Sequence, residues 1–184
     1  MRPTALFAAL LLAAPVAQAD EVTETLQSAI AAYEEGDIPY ALEELAYAQQ
    51  LMQEMKAAGL AEFLPEAPEG WTREVDTEMT QAMGMMGGGS GAEATYSDEA
   101  GQSFTVTLTA DNPMVSAMAG MFASAGLMGG KMVRVGREKF IDQEGDLTAV
   151  IDNRILIQAS GAEVDVMLPV LEAIDYRELA RFGL

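Results

Sequence analysis

From Ser103 to Ala110 the chain alternates without a break: Phe104, Val106, Leu108 and Ala110 are apolar, while Ser103, Thr105, Thr107 and Thr109 carry hydroxyls. Successive side chains of a strand point to opposite faces, so this segment reads as a strand with one buried and one wetted side. Such a strand needs partners, and the sequence offers them. Trp71 to Asp76 is a plausible first strand, Thr95 and Tyr96 belong to a second, and short strands are expected near 131–135 and 138–142. Residues 147–151 and 154–160 flank Asp152 and Asn153, a spacing suited to a two-residue hairpin. Asp98 to Gly101 and Gln143 to Asp146 are turns. Asp111, Asn112 and Pro113 open a helix to about Ser124. Val164, Leu168, Leu171 and Ile174 line one face of another, after which Asp175 can cap a last turn from Tyr176 to Phe182. Consecutive hairpins imply an antiparallel sheet with helices packed on one face, an α+β domain over residues 71–184.

Ahead of it the period changes. Val22, Leu26, Ile30 and Tyr33 line one face of a helix over 22–35, and Ile38, Leu42, Leu45, Ala48, Met52 and Met55 line a second that runs to about Ala58. Gly36 suits the left-handed position that ends the first helix, Asp37 can cap the second, and Pro39 falls in its first turn. Gly59 is expected to stop it. Residues 20–60 are thus an acidic helical hairpin, and 61–70, with Pro65, Pro68 and Gly70, a connector. Ala29, Gly36, Ala41, Leu45 and Ala48, with the turn Tyr33 to Asp37, resemble one tetratricopeptide repeat over about thirty residues. The match departs where Gln53 replaces the repeat's closing proline, and no second copy follows. The resemblance therefore implies one repeat used as a docked hairpin, not a peptide-binding solenoid. A generic amphipathic αα-hairpin fits the same residues. The wider layout is similar to short exported bacterial proteins of unknown function: Leu64-Pro65 before Gly70-Trp71, a glycine-rich loop, Asp111 to Met114, and Ile174 to Tyr176. It implies an exported α+β protein and brings no activity or site with it.

The first nineteen residues read as a signal peptide. Arg2 is a short basic start, Ala5 to Val16 an apolar run too short to span a bilayer comfortably, and Ala17-Gln18-Ala19 a small-x-small cleavage site ahead of Asp20. Cleavage between Ala19 and Asp20 would deliver the protein to a bacterial periplasm or the exterior. From Asp20 to Glu78 there are 15 acidic residues against Lys56 and Arg73. That surplus repels phosphate backbones and anionic head groups and disfavours nucleic acid, so no nucleic-acid partner is expected. Lys131, Arg134, Arg137 and Lys139 are the counterweight, expected to face nearby carboxylates.

The chain has neither cysteine nor histidine, which removes thiol nucleophiles, His-based triads and zinc sites built on those ligands. The run Gly87 to Gly91 lacks a P-loop lysine, and Ser90 sits in no nucleophile elbow because Ala92 stands where a glycine is needed. Asp142 to Asp146 resembles half a calcium loop, but Asn153 stands where a closing glutamate belongs; it reads as a hairpin turn. No catalytic residue and no cofactor is expected. Two stretches are unusual: Met79 to Gly91, and Asn112 to Gly130, which carries no charge. Nine methionines lie in these stretches or just beyond, at Met132. Packing explains them, since methionine fills irregular gaps and Met114, Met118 and Met121 recur at helical spacing. Three thioethers from Met83, Met85 and Met86 could instead hold Cu(I) or Ag(I). Ser116, Gly120 and Ser124 form a small-xxx-small row of the kind found in membrane helices, but Pro113, Gly120 and Gly126 weaken a spanning helix and the row equally suits packing on a sheet; membrane contact is disfavoured. The expectation is an exported, non-catalytic binding protein for an unknown protein or small apolar ligand. Its surface would be lined by Trp71, Met83, Met85, Met86, Met114, Met118 and Phe122.

Overall fold

The computed structural model describes residues 14–80, 88–125 and 131–183. Two helices come first, α1 (Ala14–Glu35) and α2 (Ile38–Ala61). Seven strands follow: β1 (Trp71–Asp76), β2 (Ser90–Asp98), β3 (Ser103–Ala110), β4 (Lys131–Val135), β5 (Glu138–Gln143), β6 (Asp146–Ile151) and β7 (Ile155–Ser160). Helix α3 (Pro113–Ala125) lies between β3 and β4, and α4 (Val164–Glu172) and α5 (Tyr176–Leu179) close the chain. The sheet runs β1-β2-β3-β7-β6-β5-β4 with every neighbour antiparallel, which is the α+β class the alternation implies. Contacts divide the chain into two compact units, one ending at Met52 and one beginning at Gln53.

In the second unit the pairing register gathers one apolar face. Ala92, Ala94 and Tyr96 oppose Leu108, Val106 and Phe104; Leu108 and Val106 in turn oppose Ile157 and Ala159, and those oppose Ala149 and Leu147. All are buried in one cluster with Met167, Val170 and Leu171 of α4, Ile174, and Leu179 of α5. Leu60 and Leu64 join the same cluster. This is why Gly59 fails to stop α2: burying Leu60 and Leu64 outweighs the roughly 1 kcal/mol that glycine costs inside a helix. It also draws the unit boundary into α2, ahead of the connector.

Aromatic and polar contacts lock the connector to the sheet. Tyr96 and Phe104 stack with ring centroids 5.0 Å apart, and Trp71 meets Phe104 edge-on at 5.2 Å. The Tyr96 hydroxyl donates to Pro65 O at 2.6 Å, and Arg73 Nη1 donates to Leu64 O at 2.6 Å. Burial pushes the Tyr96 hydroxyl up from 10.0 to about 12, against the opposing pull of Arg73.

The β6–β7 turn shows why a two-residue spacing was close but incomplete. Asp152 and Asn153 both take positive φ, 50° and 53°, and Arg154 N–H closes on Ile151 O at 3.0 Å. The ladder resumes only at Ile155, which leaves Arg154 free to turn its side chain to Asp111. Asp111 itself sits at φ 56° and accepts from Lys56 Nζ at 2.7 Å and Arg154 Nη1 at 2.6 Å, while Arg154 Nη2 donates to Phe182 O at 2.7 Å. One carboxylate thereby ties α2, the exit of β3, the β6–β7 turn and the C-terminal segment together.

Candidate functional site

The first unit is a helical hairpin. Helix α1 ends in a left-handed glycine: Gly36 takes φ 84°, its N–H reaches Tyr33 O at 3.1 Å, and Asp37 N–H reaches back to Ala32 O at 2.9 Å. That pair of bonds is the Schellman closure, which a residue with a Cβ adopts only with strain. Asp37 Oδ1 then accepts from Tyr40 N at 3.3 Å and caps α2. Most of the hairpin's buried positions carry small residues, Thr25, Ala29, Ala32, Ala41 and Ala48. Leu51 is the one large side chain buried with them among the described residues of this unit.

Other large apolar side chains stand outside. Ala29, Ile30, Tyr33, Glu34, Ile38, Ala41, Leu42 and Leu45 line a groove of about 560 Å³. Tyr33 is 68% exposed, Leu42 61% and Ile30 59%. The stripe that the sequence presents as a packing face is thus a concave apolar surface open to solvent. Its electrostatics are one-signed: from Asp20 to Met52 there are eight carboxylates and no basic residue. Glu34 is the one charged residue in the lining.

Of the residues singled out in the sequence, the side chains of Trp71, Met114 and Met118 are described. Trp71 packs beside Phe104 at the start of β3, whereas Met114 follows the end of that strand on α3. Six residues of strand, about 20 Å, separate the two positions along the sheet. Met114 is 58% exposed and Met118 is half-buried. Phe122 lies within α3, and its side chain is outside what is described, as are Met83, Met85 and Met86. Along residues 113–120 only Val115 is buried, and Ser116 Oγ donates to Asn153 O at 3.1 Å. Over the described part of this charge-free stretch the helix turns one face inward, with Val115 buried and Met118 and Ala119 half-buried, while Met114, Ser116, Ala117 and Gly120 are exposed; the expectation for residues 121–130 lies outside the described side chains. That entry is tightly built. Asn112 Nδ2 donates to Gly88 O at 2.8 Å, and a Cβ on Gly89 would stand 3.0 Å from Ala110 O.

Of the basic stretch, Lys131 meets Asp142 at 2.6 Å, and Arg134, Arg137 and Lys139 are exposed. The Lys131 ammonium and the Gly145 N–H hold the Asp142 carboxyl below its ordinary value of 3.8. The half calcium loop is a hairpin turn, with Glu144 at φ 57° and Gly145 N donating to Asp142 Oδ1 at 3.0 Å. Ser90 is buried in β2. Among the described residues no three carboxylates converge as a metal site, and no helix is long and apolar enough to cross a membrane. Comparison with family models, with curated proteins and with solved structures returns no match to this chain.

Proposed function

We propose that this is an exported, non-catalytic interaction protein whose binding face is the apolar groove of the N-terminal hairpin. One observation carries the reading: five large apolar side chains, Ile30, Tyr33, Ile38, Leu42 and Leu45, are exposed side by side in one concave lining. Leaving a contiguous apolar patch in water is unfavourable, and on a soluble domain such patches mark places where something binds. The occupant is an unidentified protein or small apolar ligand.

A neutral solvatochromic dye tests the groove directly. The full chain is expected to brighten the dye, and Tyr33→Glu with Leu42→Glu should remove most of that signal while far-UV circular dichroism stays unchanged. An undiminished response in the double variant would overturn the assignment. Export is checked by sequencing the N-terminus of protein recovered from the cell envelope: a start at Asp20 agrees, and an intact Met1 opposes it.

A further inference from the structure

The groove's chemistry also constrains its occupant, and this step rests on reading the groove as the binding face. We infer that it receives an amphipathic helix of another protein, with an apolar stripe flanked by lysine or arginine.

The backbone argues for a helix. An extended peptide leaves a row of N–H and C=O groups that need partners, but the lining offers only side chains, seven of them without charge, and the backbone groups of α1 and α2 are engaged within those helices. A helix brings its own hydrogen bonds and needs only apolar contact. The groove length agrees. Ile38 to Leu45 spans about 10 Å, two helical turns, so it accepts residues at i, i+3 or i+4, and i+7 of an incoming helix and completes a three-helix bundle.

Charge then selects among helices. Glu34 stands in the lining, Glu35, Asp37 and Glu43 are exposed next to lining residues in sequence, and no base lies between Asp20 and Met52. A second copy would set eight carboxylates against eight, and an acidic helix or an anionic lipid surface would be repelled in the same way. Basic residues flanking the stripe turn that repulsion into attraction and steer the encounter.

Three synthetic peptides of roughly 18 residues, about five turns each, test this against the full chain. The first carries a leucine stripe with lysine flanks, the second the same stripe with glutamate flanks, and the third the lysines with the stripe replaced by glutamine. Calorimetry is expected to show binding of the first alone, weaker at high salt, and reduced at least about tenfold by Leu42→Glu or Tyr33→Glu. Those substitutions add negative charge, so a purely electrostatic contact would tighten; that result, or equal binding of the stripeless peptide, overturns the inference. Equal binding of the glutamate-flanked peptide overturns the charge selection. If no peptide binds while the dye response still depends on Tyr33 and Leu42, the partner assignment fails and the groove stands. If the dye response is also independent of them, the groove reading itself fails. Dimerisation, or flotation with neutral phospholipid vesicles, that Leu42→Glu abolishes would assign the groove to a second copy or to lipid and likewise overturn the inference.

Discussion

Asp111 is the residue whose replacement separates charge from backbone most cleanly. It holds φ 56° while its carboxylate accepts from Lys56 at 2.7 Å and Arg154 at 2.6 Å. The side chains are partly exposed, 26% for Asp111, 37% for Lys56 and 24% for Arg154, so each pair falls between a surface bridge and a buried one. Taking about 1–1.5 kcal/mol for each charge-assisted bond gives roughly 2–3 kcal/mol for the carboxylate. Alanine at a left-handed position adds about 1 kcal/mol of strain. Asp111→Ala should therefore destabilise by about 3–4 kcal/mol, and Asp111→Gly by less, about 2–3 kcal/mol, because glycine relieves the strain and loses only unfolded-state entropy. Asp111→Asn tolerates the backbone and keeps neutral acceptors, for about 1–1.5 kcal/mol. Trp71 is the only tryptophan and lies in the sheet unit, so its fluorescence in urea reports that unit without the hairpin. A loss below about 0.5 kcal/mol for Asp111→Ala, or glycine proving worse than alanine, would refute the account of Asp111 as both an ion-pair hub and a strained turn.

Three further outcomes follow from the same geometry. The Tyr96 hydroxyl titrates near 10.0 when unfolded and near 12 when folded, so its contribution is complete below pH 10 and drains as pH rises toward 12. That drain is at most about 2–3 kcal/mol, and Tyr96→Phe should flatten the stability profile in this window; an unchanged slope refutes the assignment. Asp142 is the opposite case. Its lowered value means the Lys131 pair stabilises fully above about pH 3.8 and is lost as pH falls through the folded value, so acid unfolding of Asp142→Asn should lack that component, and an identical acid profile would count against it. Gly89→Ala should cost about 2–3 kcal/mol in thermal unfolding, since the new methyl meets the Ala110 carbonyl at a backbone φ of 114°. A Tm within a degree or so of the parent would show that the strand end relaxes instead.

Much of the fold was legible residue by residue. The alternation from Ser103 to Ala110 appears as β3, Asp152 and Asn153 do take positive φ, and Asp175 does cap the last turn by accepting from Arg177 N and Glu178 N. Local rules suffice there because the determining groups lie within four residues of each other. Strand β2 was harder: Ser90 to Asp98 is rich in small and polar residues, and only its register against Ala110 to Ser103 reveals the apolar set Ala92, Ala94 and Tyr96. Gly59 misled for the same reason, since what holds α2 open past it is the distant sheet core. The groove residues were visible as helical stripes, but periodicity marks a face without saying what covers it. Trp71 and Met114 looked alike as exposed apolar candidates and stand at opposite ends of one strand.

By itself, then, the sequence determined the elements, the α+β class, the charge of the hairpin and the chemistries excluded by missing cysteine and histidine, because these depend on neighbours in the chain or on composition. Tertiary structure alone decided that Ala29, Ala32, Ala41 and Ala48 are buried while Ile30, Tyr33, Leu42 and Leu45 face solvent, and that Asp111 collects two cations from far along the chain. Burial is settled by which surfaces meet in three dimensions, and a one-dimensional pattern fixes only which surfaces could.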